Sequence, residues 1–475
     1  MTDNNCDCDS ESGNSPPDSN KRFYKERVIG QYVPDGFLIT LSSETESLDE
    51  NDHITLTPTV LHEYIHFVHN ISTIGGFRSF LTSVLIWIAF RQTVGRDGRS
   101  CGSDGHPSAD VAAGQQYLML RRRLLGDGWI DSPQIPSSTT FLKWSLKDVT
   151  TKAHTHEVPG TVIHCECKIA YRGGGETKRT LDFGLIALFE GITSEIEGEH
   201  FLGAPPPNAI PYKLLRNFSD HLSKGISKPT YIKIATLSLL TGDPLKYLSE
   251  MLPLFDIFKK SGGMSEEDSL EKVEKLYLEM IETNIDSAFH DIDIVLNSLP
   301  KTPFANGFRY IGDRLKILLS RRLTEPYFDV HLFHSPENIG AIQDFMAGFP
   351  CIVIQERTGD IDTIERDIMF TWGLMEEEDL RVLQCALDFS LIHQKNSGLG
   401  FHETDFLEKV KIHHRCPLYT TCDLAMRVQR PDLCSQKPWQ SSHWSGWPEE
   451  KTCAYGLGVL ASIGAVSGAA TEQAK

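Results

Sequence analysis

The sequence predicts an α+β fold, and three features carry that expectation. Strand-like patterns are confined to two early stretches, 27–41 and 161–183. An apolar helical pattern precedes the second stretch and another follows it directly. Beyond about residue 208 almost every patterned segment is helical. Strands grouped together and followed by a run of helices argue for segregated α+β rather than alternating α/β architecture.

Residues 1–22, "MTDNNCDCDSESGNSPPDSNKR", are acidic and rich in Ser and Pro, and read as a disordered tail without the apolar region of a secretory signal. In "RVIGQYVPDGFLITL", 27–41, two apolar stretches flank Pro-Asp-Gly, so two short strands about a turn are expected. Thr57-Pro58 is a helix start, a hydroxyl cap before a proline at the first helical position, and it opens "TPTVLHEYIHFVHN". A second helix is expected from Phe77, after a Gly75-Gly76 break. Its apolar run "FLTSVLIWIAF", 80–90, is too short for a membrane span and suits a buried helix. The Gly, Ser and Asp of 94–112 read as an exposed loop.

In "TVIHCECKIAY", Ile163, Cys165, Cys167, Ile169 and Tyr171 share one strand face, and His164, Glu166 and Lys168 the other. "RGGGET" then turns the chain into "KRTLDF", a hairpin. "GLIALFEGITSEIEGEHF" follows as an apolar helix with acidic residues inside it. Further helices are expected in "PYKLLRNFSDHL" and "YIKIATLSLLTG", and a long charged one from Ser265 to about Leu299, with an acidic first turn. "YGLGVLASIGAVSGAA" reads as a small-residue packing helix. With no internal repeat, the expected organisation is a tail at 1–22, a unit at 23–325, and a helical, Cys- and Trp-containing region at 326–475.

The 64 acidic residues against 46 basic give a net charge of −18, which disfavours sequence-independent binding to nucleic acid or anionic membranes. Eleven cysteines without a secretory signal point to a reducing, cytoplasmic setting, where thiols serve as core residues, ligands or nucleophiles. No transmembrane segment is expected.

The chemistry starts at His62-Glu63-Tyr64-Ile65-His66. Two imidazoles four residues apart stand on one face of a rigid helix and can hold one tetrahedral ion, Zn2+. Glu63 is placed to take a proton from water activated there. His69 is a further turn along, and positions i and i+7 lie about 10 Å apart on the axis, so His69 reads as a supporting or core residue. A catalytic zinc takes a third protein ligand. Glu190, between Phe189 and Gly191 in an otherwise apolar helix, is costly to bury unless something pairs with it. Gly191 would let another backbone or a substrate approach closely. Glu195 and Glu197 are its competitors as ligand.

"HEYIH" followed by "ALFEGITSEIE" resembles the gluzincin zinc metallopeptidases, over perhaps thirty residues. The resemblance implies a zincin-like core, with a small sheet packed on the HExxH helix and the glutamate helix. It implies His62, His66 and Glu190 as zinc ligands, Glu63 as general base and a peptide or protein as substrate. Zincin sites commonly place an edge strand beside the cleft, and Thr161–Tyr171 is expected to be that edge. Tyr212 is the candidate donor to the oxyanion, with Arg216 and His221 behind it.

Cys416, Cys422, Cys434 and Cys453 crowd the end of the chain, with His413, His414 and His443 nearby and Trp439, Trp444 and Trp447 between them. They read either as reduced thiols in a packing unit or as a second metal site, and no Cys-x-x-Cys spacing decides between them. The expected function is an intracellular zinc metallopeptidase, with a regulatory protein partner possible. The rival readings are a zinc hydrolase of a non-peptide amide and an interaction protein that retains a zincin-like core.

Overall fold

The computed structural model describes residues 30–34, 37–42, 58–105, 108–126, 141–153, 161–171, 176–200, 212–299, 301–333, 338–349, 353–357, 364–369, 374–395, 400–412, 414–419, 422, 425–443 and 453–464. The expected tail at 1–22, the Thr57 cap, His413, Trp444 and Trp447 lie outside these residues, as do the side chains of Cys167 and His443.

In chain order the elements begin with β1 (Gly30–Val33), β2 (Leu38–Ser42), α1 (Pro58–Ser72), α2 (Ile74–Arg91), α3 (Gly102–Gly105) and α4 (Ala109–Leu125). Three strands follow, β3 (Phe141–Ala153), β4 (Thr161–Tyr171) and β5 (Glu176–Phe183). Next come α5 (Leu185–His200), α6 (Leu214–Leu222), α7 (Lys228–Leu239), α8 (Pro244–Gly262), α9 (Glu266–Ser298), α10 (Pro303–Thr324), α11 (Phe328–Phe333) and α12 (Ile339–Gly348). After β6 (Val353–Arg357) and β7 (Ile364–Met369) come α13 (Leu374–His393), α14 (Thr404–Lys409), α15 (Ala425–Gln429), α16 (Pro431–Gln436), a 3-10 turn at Pro438–His443 and α17 (Ala454–Ala461).

Both expected hairpins form. β1 and β2 pair antiparallel, Gly30 opposite Leu41 and Val33 opposite Leu38. β6 then joins β2 in parallel, Leu38 opposite Val353, and β7 closes a four-stranded sheet in the order β1-β2-β6-β7. The other sheet is an antiparallel meander, β3-β4-β5. β4 therefore lies between two partners and is not an edge strand. Alternation along a strand reports which face is buried, and Ile163 and Cys165 are indeed fully buried. It cannot report how many neighbours the strand has, because pairing is decided by segments elsewhere in the chain.

α1 is the centre of the molecule. It packs on α5, α2, α10 and the first hairpin, and every residue from Val60 to Ser72 is buried. That includes six polar side chains, His62, Glu63, His66, His69, Asn70 and Ser72. Buried polar groups need partners, and so many on one helix mark it as more than a packing element.

α2 starts at Ile74, three residues before the expected Phe77. Thr73 is its cap, accepting a hydrogen bond from the Gly76 amide at 3.0 Å. The glycine pair is thus the first turn of the helix rather than a break. A Cβ on Gly76 would stand 2.4 Å from the His69 carbonyl oxygen and 2.5 Å from the Asn70 Cα, so only glycine permits this corner. The 94–112 segment also differs from the exposed loop expected of it. Val94, Ser100 and Ser103 are buried, Ser103 donates its amide to the Phe401 carbonyl, and Cys101 bridges to Glu403. A remote stretch satisfies its backbone, which local composition cannot show.

The remaining helices follow their local signals. Ser265 caps α9 by accepting from the Asp268 amide, next to the acidic first turn. α17 lies close against α13, where a Cβ on Gly458 would meet the Ala386 amide nitrogen at 2.8 Å. Among the described residues one helix, α2, has the length and hydropathy to cross a bilayer, and it is 72% buried in the core.

Candidate metal centre

α1 and α5 pack side by side, and their facing surfaces carry the site. His62 and His66, one turn apart, direct their Nε2 atoms to the same point, 3.1 Å from each other. Glu190 Oε2 from α5 lies 3.1 Å from the first and 3.3 Å from the second. Tetrahedral coordination with metal–donor bonds of about 2.0–2.1 Å places neighbouring donors roughly 3.3–3.4 Å apart. The three atoms therefore form one face of a zinc tetrahedron in size as well as in chemistry. Two imidazoles and a carboxylate suit Zn2+, and the donor set fits it.

The electrostatics agree. Burial opposes a charge on Glu190, yet His66 and His62 beside it hold its carboxyl well below the usual carboxylate range. Burial likewise disfavours a charge on His62, but hydrogen bonds to Glu190 and Glu197 prevail and raise its pKa well above the usual value. The pocket is built to hold positive charge.

The phase of α5 separates the three competing glutamates. Glu190, Thr193 and Glu197 fall at i, i+3 and i+7, one stripe facing α1. The His62 Nδ1–H donates to Glu197 Oε2 at 2.9 Å, which leaves its Nε2 lone pair free for a metal. Thr193 Oγ1 stands 3.5 Å from His66 Nδ1. Glu195 points off the stripe and pairs with Lys228 at 3.0 Å. Gly191 serves the packing of α6, since a Cβ there would lie 2.4 Å from the Leu215 Cβ.

Glu63 is buried, and its carboxylate accepts the backbone N–H of Tyr32 in β1. Burial raises its pKa, and the two histidines counter that in part. The strand next to the site is thus β1, at the edge of the four-stranded sheet, and not β4. The Tyr212 ring stands 6.0 Å from the His62 ring at 64°. Arg216 and His221, expected behind it, lie on the exposed face of α6.

His69 is not part of the donor triangle. It is fully buried, stacks on Phe189 at 5.7 Å, and hydrogen-bonds Asp329 at 2.9 Å through Nε2. Asp329 in turn pairs with the buried Arg322, whose Nε and Nη2 donate to the carbonyl and hydroxyl of Ser72 at the end of α1. Tyr64, on α1, donates its hydroxyl to the Phe349 carbonyl at 2.8 Å. Asp329, Arg322 and Phe349, each at least 250 residues from the α1 residue it meets, carry no signal in the sequence.

No protein-family model, curated protein or solved structure matches the chain. The assignment therefore rests on geometry, and the pairing of His62, Glu63 and His66 on one helix with Glu190 on a second matches the core of a gluzincin HExxH metallopeptidase.

Proposed function

We propose that the chain is a cytoplasmic zinc metallopeptidase. The observation that carries this reading is the donor triangle of His62, His66 and Glu190 with Glu63 buried beside it. Zinc held there supplies Lewis acidity, lowering the pKa of water and polarising a carbonyl. Every other step belongs to the chain. Glu63, held by the Tyr32 amide, takes the proton from the attacking water and returns it to the leaving amine. Burial raises its pKa above the ordinary carboxylate value, the direction that favours taking up a proton. Glu197 fixes the tautomer and rotation of His62. Tyr212, flanking His62, donates its hydroxyl to the oxygen on which negative charge develops. The outer edge of β1 lets an extended peptide lie beside Glu63 as an added strand. In this reading 23–325 carries the reacting groups, and 326–475 supports the HExxH helix through Asp329 and the Phe349 carbonyl.

Two measurements test the proposal. Zinc content should drop by one ion per chain in Glu190→Ala. Glu63→Gln should retain that zinc while cleavage of a peptide library falls by at least roughly 100-fold. Unchanged cleavage by Glu63→Gln would refute the assigned base, and zinc content unaffected by Glu190→Ala would refute the third ligand.

A further inference from the structure

Each histidine of the donor triangle is backed by a group on α5, whereas the third ligand is not. The His62 Nδ1–H donates to Glu197, and His66 Nδ1 stands near Thr193 Oγ1. The Glu190 carboxylate meets the two histidines and, among the described residues, no other hydrogen-bonding group. Its place is therefore set by where α5 puts its backbone, so the rotation of α5 against α1 is what the fold has to hold.

One contact beside Glu190 acts on that rotation. Phe189, its neighbour in sequence, lies flat on His69, with ring planes 19° apart and centroids at 5.7 Å. His69 stands on the metal face of α1, one turn beyond His66. Two stacked rings fix orientation as well as spacing, because tilting either one loses overlap. The imidazole is itself held at its edge. Its Nε2–H donates to Asp329 Oδ2 at 2.9 Å, and Asp329 pairs with Arg322, which donates to Ser72 at the end of α1.

Packing does not explain an imidazole here. With Nε2 donating, Nδ1 carries a lone pair, and that buried nitrogen finds no hydrogen-bond partner among the described residues. An unpaired buried acceptor lowers stability. A phenyl ring would fill the same space without that cost, and Asp329 would keep Arg322. What the imidazole combines is a flat face for Phe189 and an edge that a carboxylate anchors.

We propose that His69 is a positioning residue for the third metal ligand. Anchored to Asp329, its ring holds Phe189 and thereby keeps the Glu190 carboxylate in line with His62 and His66. The proposal rests on the zinc reading of the donor triangle. It also gives the far part of the chain a route to the metal, since Asp329 reaches Glu190 through one imidazole and one phenyl ring.

The test reads the metal rather than cleavage. The full chain, stripped of metal, is titrated with Co2+, whose visible absorption reports the geometry of its donors, and affinity is read by competition with a chelator. Phe189→Leu keeps an apolar side chain without the flat face, and His69→Gln keeps an amide that can reach Asp329 without the ring. Each should bind one equivalent of Co2+ about 10-fold more weakly than the unaltered chain, with a shifted visible band. The double variant should lose no more than either single one, because both act through one contact. His69→Phe restores a ring and should recover affinity to within about threefold of the unaltered chain. Tyr64→Phe, on another face of α1, should lower Tm and leave the band in place, which separates loss of positioning from loss of stability. Losses that add in the double variant, an unchanged band in both single variants, or an equal shift in Tyr64→Phe would overturn the proposal. Binding by His69→Phe as weak as by His69→Gln would overturn the role of the stack. No Co2+ bound by the unaltered chain would refute the metal site itself, and the proposal with it. If His69→Gln does not fold, Phe189→Leu and His69→Phe decide.

Discussion

At the scale of single residues, the groups around the donor triangle divide by what they touch. Glu197 holds His62 from behind. Its replacement by Gln should weaken zinc retention about 10- to 100-fold, read by competition with a chelator. Glu195 pairs with Lys228 instead, and Glu195→Gln should leave zinc affinity unchanged. Arg322 and Asp329 are both fully buried, so breaking their pair leaves one charge without its counterpart. Asp329→Ala should cost about 3–5 kcal/mol in denaturant unfolding. A pH effect is expected from His393. Burial lowers its pKa to about 4, and its Nδ1–H donates to the Phe389 carbonyl at 2.8 Å. It is neutral in the fold, whereas the unfolded chain takes up a proton below about 6.5. Its contribution is therefore intact above about pH 6.5 and declines as the pH falls towards 4, by up to about 3 kcal/mol. Unfolding free energy measured across that window should show the loss, and His393→Gln should flatten it.

At the scale of elements, the rotation of α5 about its own axis decides the site. One stripe of that helix presents Glu190, Thr193 and Glu197 to α1, while Glu195 turns to Lys228. α1 is held in turn by the corner that Gly76 makes with the His69 and Asn70 backbone. Gly76→Ala forces that corner open, and should cost at least about 2 kcal/mol and reduce zinc retention with it. Thermal unfolding and metal content on the same preparation would check both. The strand beside Glu63 was legible as a strand, since Pro-Asp-Gly marked its hairpin. That it lies at the edge and beside Glu63 was not, because β2 takes its second partner, β6, from more than 300 residues away.

At the scale of the whole molecule, the far part of the chain completes the near part. β6 and β7 extend the first sheet, Arg322 and Asp329 close the end of α1, and the Phe349 carbonyl accepts from Tyr64 on the same helix. The peptidase helix is therefore held at its C-terminal end and, through Tyr64, on the side away from its metal. A Tyr64→Phe change removes one of these ties and, with the ring's packing kept, should cost about 1 kcal/mol with little change in zinc content.

The sequence by itself determined the local chemistry. The spacing of His62 and His66 puts two nitrogens on one helical face, Glu63 stands next to them, and the caps and turns place the helices and hairpins around them. These depend only on residues a few positions apart. The tertiary structure alone decided which of three glutamates joins the two histidines, which strand borders the site and why His69 is buried. Each of those outcomes depends on the rotation or pairing of one element against another distant in the chain, and local periodicity carries no phase between elements.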